Sequence, residues 1–219
     1  MSRRRILIWG LPALMYALFF VWYTDLRGPL SDAEIEMYLD RMEAIGFNEE
    51  QRDRIRVFME TDTGRQFLMV NAIDFAENPP DVPGAEPGES AQELIGRYME
   101  HMYRELFLRA SHPVVVGEAA FVAIDLVGVE ELDTAERWDS GAMFRYRSRR
   151  TFFEIVTNPE TMGRHEFKVA ALDKTIAYPI ETQVNLGDPR LLLGLLLLAG
   201  AALADLFLSP RGRSSSATH

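Results

Sequence analysis

Apolar residues crowd both ends of the chain, and the stretch between them alternates polar and apolar positions with the periods of helices and strands. Residues Ile6 to Tyr23, ILIWGLPALMYALFFVWY, carry no charge over 18 positions. At ~1.5 Å per residue such a helix crosses a hydrocarbon core of ~30 Å. Trp9 at one end and Trp22 and Tyr23 at the other suit the two headgroup levels. The rival reading is a cleaved signal peptide, but the run exceeds the usual core of about 7–15 residues and ends in bulky Phe-Val-Trp-Tyr. Residues Leu191 to Leu208, LLLGLLLLAGAALADLFL, form a second candidate span. Here the rival is a buried core helix, but seven leucines in the first eight positions leave no polar face. Asp205, its one charge, lies a turn from the end, where it reaches the interface and does not serve a mid-bilayer proton relay. Gly200 and Ala204 make a small-xxx-small pair on which a partner's helix can pack.

Between the spans the pattern is that of a folded domain. Ser31 with Glu34 forms a capping box, and Ile35, Tyr38, Met42 and Ile45 follow at helical spacing up to Gly46. Asn48 caps a second helix to about Glu60. These two read as a stalk resting on the domain, or as a lid. Gln66 to Asp74 is a nearly unbroken apolar run of strand length. Glu77 to Glu89 is Pro-rich and acidic and reads as a surface loop, with a mobile flap as the alternative. Ser90 and Glu93 open a strongly amphipathic helix with two apolar rows, Leu94, Tyr98, Met102, Leu106 and Ile95, Met99, Tyr103, Phe107. Pro113 to Val127 has a long strand pattern bent at Gly117, and Gly141 to Arg147 a shorter one. In the latter, Met143, Arg145 and Arg147 share one face, and Phe144 and Tyr146 the other. Ser148 starts a helix that ends before Pro159, residues 161–171 add a helical turn or two, and Lys174 to Ile180 is a last strand with Pro179 marking an edge.

The order strand, helix, strand, strand, helix, strand predicts an α+β domain, a ferredoxin-like βαββαβ antiparallel sheet with helices on one face. The other face, too apolar for water, needs a cover, and a second copy stacked sheet to sheet is the simplest one. The predicted organisation is a cytoplasmic 1–5, a span at 6–23, a helical stalk at 24–62, the ferredoxin-like domain at 63–183, a second transmembrane helix at 191–208 and a cytoplasmic tail at 209–219.

Charge then sets orientation. Arg3, Arg4 and Arg5 precede the first span, and Arg211 and Arg213 follow the second, so both termini belong in the cytoplasm and the domain outside a bacterial inner membrane. Apart from those five arginines and Asp205, residues 24–190 carry 18 of the 23 basic and 32 of the 33 acidic residues, a net of −14. Such a lobe is attracted neither to a phosphate backbone nor to anionic lipid, which argues against a nucleic-acid partner. There is no cysteine, hence no disulfide framework or thiol nucleophile.

The strand FLMVNAID, the block FRYRSRRTFFEIVTNPE and the ending HEFKVAALDKTIAYPIE resemble small dimeric α/β-barrel proteins of the ferredoxin-like type, within them a branch defined as a domain of unknown function. The similarity covers about residues 64–182. It implies a homodimer enclosing a cavity between two sheets. Relatives of the wider fold include small monooxygenases, isomerases and haem-binding enzymes, whereas members of the narrow branch are mostly short soluble chains. The two spans depart from that pattern, and no catalytic motif carries over.

Candidate chemistry therefore comes from the residues. Asn71 shares a strand face with Phe67 and Met69, and Arg145 sits mid-strand beside Met143. A strand-centred guanidinium is paired or binds an anion, because leaving it bare inside is costly. His112 and His165 stand where loops meet the sheet, and Tyr98 and Tyr178 offer hydroxyl donors. The bland alternatives are that Asn71 satisfies local backbone, Arg145 forms a structural ion pair, and each histidine is an ordinary surface or capping residue. His101 and Glu105 have i, i+4 spacing but no third ligand, and Gly-x-Ser-x-Gly and phosphate-loop signatures are absent, so no metal and no cofactor are expected. The leading expectation is a membrane-anchored binding or accessory module. The alternatives are an enzyme with His112 or His165 as base and Arg145 as anion anchor, and a structural subunit packing through Gly200 and Ala204.

Overall fold

The computed structural model describes residues 3–128 and 134–208; the 209–219 tail, with Arg211 and Arg213, lies outside the described residues. The chain runs α1 (Arg3–Tyr23), α2 (Asp32–Ala44), α3 (Glu49–Glu60), β1 (Phe67–Phe75), α4 (Ala91–Leu108), β2 (His112–Glu118), β3 (Ser140–Tyr146), α5 (Arg149–Val156), α6 (Pro159–Met162), α7 (His165–Ala170), β4 (Leu172–Ile180) and α8 (Pro189–Leu208). It divides into two compact units, one of residues 1–24 with 183–219 and one of residues 25–182.

In the first unit α1 and α8 lie against each other head to tail. Arg5 Nε bonds Asp205 Oδ1 at 3.0 Å near one end. Near the other, Arg190 donates to Thr24 Oγ1 at 3.1 Å and sits 5.5 Å from the Tyr23 ring centroid. Gly194 admits the Tyr16 ring; a Cβ there would stand 3.2 Å from Tyr16 Cε2. Both helices are long and apolar enough to cross a membrane. Asp205 is thus the partner of Arg5 in the other helix. A Cβ at Gly200 would meet open space, so the α1–α8 contact does not consume that position.

The second unit is α+β. Its four strands form one antiparallel sheet in the order β2-β3-β1-β4. Phe67 opposes Tyr146 and Met69 opposes Phe144, and all four face the helices. Met102 and Leu106 of α4 and Ile155 of α5 close over Phe67 and Tyr146. At the far end Leu94 and Ala91 of α4 meet Phe167 and Ala170 of α7. The other face carries Val70, Ala72 and Asp74 of β1, Tyr178, Ile176 and Lys174 of β4, Met143 of β3 and Val115 of β2, by the register and its alternation. Tyr178, Ile176 and Val115 are each more than half exposed.

The structure differs from the sequence reading in three places. α2 and α3 do not stand apart as a stalk: Leu30, Ile35, Tyr38, Leu39, Met42 and Met59 share one core with Phe153 of α5. β2 ends at Glu118 and not at Val127: past the Glu118–Ser140 pair only isolated backbone bonds, Ala119 N to Asp139 O and Ala123 N to Glu136 O at 2.8 Å each, continue without forming a ladder. Phe121, Ile124 and Val127 beyond it are exposed. The Pro-rich loop packs after all, with Val82 and Ala85 against Phe167 and Leu94. Gly64 is the backbone position that needs its glycine most: φ is +73°, and a Cβ would fall 2.7 Å from Gly28 C.

Candidate functional site

The sheet separates the six residues singled out from sequence into two groups. Leu68 pairs with Arg145 and Asn71 with Ala142, so Asn71 and Arg145 point to opposite faces. Asn71, Tyr98 and His165 belong to the helix side; His112, Arg145 and Tyr178 belong to the open side. The combination of one histidine with both Asn71 and Arg145 in one cavity is not formed.

On the open side, Arg145 is 1% exposed and fully engaged. Its Nε donates to Gln66 Oε1 at 2.7 Å and its Nη1 to the Ala110 carbonyl. Ala110 itself takes φ 51°, and the guanidinium clamps that turn to the sheet. His112 keeps Nδ1 2.8 Å from the Pro113 carbonyl oxygen. Tyr178 is half exposed on the open sheet. On the helix side, Asn71 Nδ2 donates to the carbonyls of Met69 at 3.1 Å and Ala142 at 3.4 Å, which is backbone satisfaction.

The block Arg145 to Arg150 holds two more buried arginines that sequence reasoning passed over. Arg150 grips Glu34 with both arms, Nε to Oε1 at 2.6 Å and Nη2 to Oε2 at 3.0 Å, and donates to the carbonyls of Gly28 and Pro29. Asp25 lies 3.5 Å from Arg150 and accepts from Ser148 and Arg27. Burial pushes the Asp25 carboxyl up, but the hydrogen bonds from Arg27 and Ser148 outweigh it and hold it well below the usual carboxylate range. Arg149 bonds Thr61 and Glu181 and lies 4.4 Å from the Phe58 ring centroid. These networks lock the segment after α1 and the end of α3 onto α5. Their partners stand up to 125 residues away, which no local pattern reveals.

The seam between α4, α7 and the sheet has a different character. Tyr98 packs against two core clusters, on the first together with Met69, Met99 and Phe144 and on the second together with Phe75 and Ile95. The His165 ring stands edge-on to it, 6.3 Å between centroids, and Lys168 Nζ is 5.9 Å from the same ring. Burial raises the Tyr98 phenol to about 12 and lowers the Lys168 ammonium. His165 is lowered by burial and then by Lys168. Tyr146 is raised by burial and by the neighbouring Tyr98. Among the described residues, no hydrogen bond or ion pair reaches Lys168 Nζ or either phenolic hydroxyl. Lys168 was not singled out from sequence; its place beside the apolar Phe167 and Ala170 was the usable signal.

Elsewhere the polar groups are consumed. A cleft of about 470 Å³ between the C-terminal ends of α2, α4 and α5 holds Arg41, Arg109, Glu154 and Asn158. Arg109 there bonds Glu105 and stands 3.8 Å from Glu154. His101 Nε2 lies 3.2 Å from Thr161 Oγ1, and Glu105 serves Arg104 and Arg109. Asp139 caps the Phe75 amide at 2.7 Å while Trp138 lies beneath Lys174.

No protein-family model and no curated protein matches the chain. Among solved structures, the chain is similar to RPA0582, a protein of unknown function from Rhodopseudomonas palustris, at TM-score 0.50 and 17% identity, over 64% of this chain and 98% of that one. The methylated form of RPA0582 gives TM-score 0.50 and 17% identity over 66% and 97%. A protein from Arabidopsis thaliana, At3g17210, aligns at TM-score 0.34 and 18% identity over 55% and 99%. The RPA0582 likeness concerns the fold alone.

Proposed function

We propose that the protein is a membrane-anchored binding or accessory module: α1 and α8 span a bacterial inner membrane as one hairpin, and residues 25–182 form a ferredoxin-like, homodimeric domain on the extracytoplasmic side. The observation that carries this reading is the head-to-tail α1–α8 pair, joined by Arg5–Asp205 at one end and Arg190–Thr24 at the other. It keeps the Arg3–Arg5 cluster and the end of α8 on one side, as the positive-inside rule requires. The strand order β2-β3-β1-β4, with helices on one face, supports the ferredoxin-like assignment.

The open sheet face supports the dimer. It is apolar across Val70, Met143, Ile176 and Tyr178, and its Asp74 and Lys174 neutralise each other at 2.6 Å. A second copy therefore meets it without like-charge repulsion. Native mass spectrometry of the detergent-solubilised chain tests this. Two copies per particle are expected, with V70D giving one. A monomeric wild type, or a chain that stays dissolved without detergent, overturns the reading.

A further inference from the structure

The chain holds two lysines and many paired arginines. Lys174 takes Asp74 as its partner at 2.6 Å. Among the described residues Lys168 takes none, although acidic residues outnumber basic ones by 33 to 23. A partly buried ammonium without a counter-charge is costly, and such groups cluster where a ligand supplies the missing charge. Its surroundings have the matching chemistry. Among the described residues no hydrogen-bond partner reaches the phenolic hydroxyls of Tyr98 and Tyr146. His165 closes the side of Tyr98 at 6.3 Å. The groups in the seam are thus rich in donors and poor in acceptors, and the walls are Met69, Met99 and Phe144.

We propose that the seam between α4, α7 and the sheet binds a small organic carboxylate, with its anionic head on Lys168 Nζ and the Tyr98 hydroxyl and its apolar body among Met69, Met99 and Phe144. The proposal rests on the binding-module reading and names its ligand class. Two donors meet one carboxylate, and the Tyr98 ring faces the ammonium as a cation–π partner that holds the side chain in place.

The test uses the full-length chain in detergent micelles, with 4-fluorobenzoate as probe, followed by 19F NMR against protein-free micelles. A fragment of this size binding on one ion pair and one hydrogen bond is expected at Kd on the order of 1 mM. The neutral isostere 4-fluorobenzamide is expected to bind at least about tenfold more weakly, and K168M to weaken 4-fluorobenzoate about tenfold. K168R, which keeps the charge, recovers part of the loss. K168M is expected to melt no lower than wild type, since it removes a partly buried cation without a counter-charge, so lost binding is not lost folding. Absence of saturation up to ~10 mM, equal binding of the two probes, or unchanged binding to K168M overturns the proposal. Binding in micelles is independent of membrane sidedness and is read per chain, so its failure is distinct from failure of the anchored-dimer reading.

Discussion

Replacing Arg150 by Met tests how firmly the segment following α1 is fastened to the domain. The guanidinium is 3% exposed and serves Glu34 through two bonds, two backbone carbonyls and Asp25. Removing one partner of a buried pair strands the other, which costs about 3–5 kcal/mol. Glu34 keeps 32% of its side chain in water and Asp25 retains Arg27 and Ser148, so the low end applies, about 3 kcal/mol. For a domain of this size that lowers Tm by roughly 6–12 °C. The assay is urea unfolding of the solubilised chain followed by near-UV circular dichroism, repeated from pH 7 to pH 3. Arg150 holds the Glu34 carboxyl at about 2, below its ordinary 4.5. The unfolded chain therefore takes up the proton first. The contribution of Glu34 is complete above about pH 5 and erodes as pH falls from 4.5 toward 2. R150M should lose that part of the acid slope together with the 3 kcal/mol. A loss below about 1 kcal/mol, or an acid slope identical to wild type, would refute the reasoning.

Two further outcomes follow from the same structure. Gly64→Ala should cost at least about 2 kcal/mol in the same urea assay, because it puts a Cβ against the Gly28 and Pro29 backbone at positive φ; a change under about 0.5 kcal/mol contradicts the close approach. In a proton NMR titration, His165 should titrate below 6.5, and K168M should bring it upward by removing a neighbouring charge. Its folded-state value lies below the unfolded one, so its contribution to stability shrinks as pH falls below about 6.5. A midpoint at or above 6.5 would place the ring in water.

The sequence was most legible where interactions are local. The Ser31–Glu34 and Ser90–Glu93 boxes, the Asn48 cap and the Ser148 cap all start helices where they were read. The alternation through Met143, Phe144 and Arg145 gave the correct faces, since it depends only on the pleat. What depended on distant chain was not legible. The core of α2 and α3 is completed by Phe153, about a hundred residues on, so an amphipathic pair read alone resembled a stalk. The run FVAIDLV is as apolar as a strand, yet beyond the Glu118–Ser140 pair it keeps only an isolated backbone bond, Ala123 N to Glu136 O, and no ladder. Arg145 was recognised as needing a partner, but Gln66 and the Ala110 carbonyl, 79 and 35 residues away, could not be named from spacing. For the seam, Tyr98 and His165 were singled out separately; Lys168 and Tyr146, which join them, became visible only when α7 lay against α4 and β4.

Sidedness of the two ends relative to the domain is the most direct measurement. The chain has no cysteine, so single cysteines label without background. Glu86→Cys marks the exposed loop before α4, and Ser216→Cys marks the segment after α8. In intact cells of a bacterial host, a membrane-impermeant maleimide should modify the cysteine at 86 at once and the one at 216 only after lysis. Protection of position 86, or labelling of both positions in unbroken cells, would contradict a hairpin of two spans presenting the domain outside.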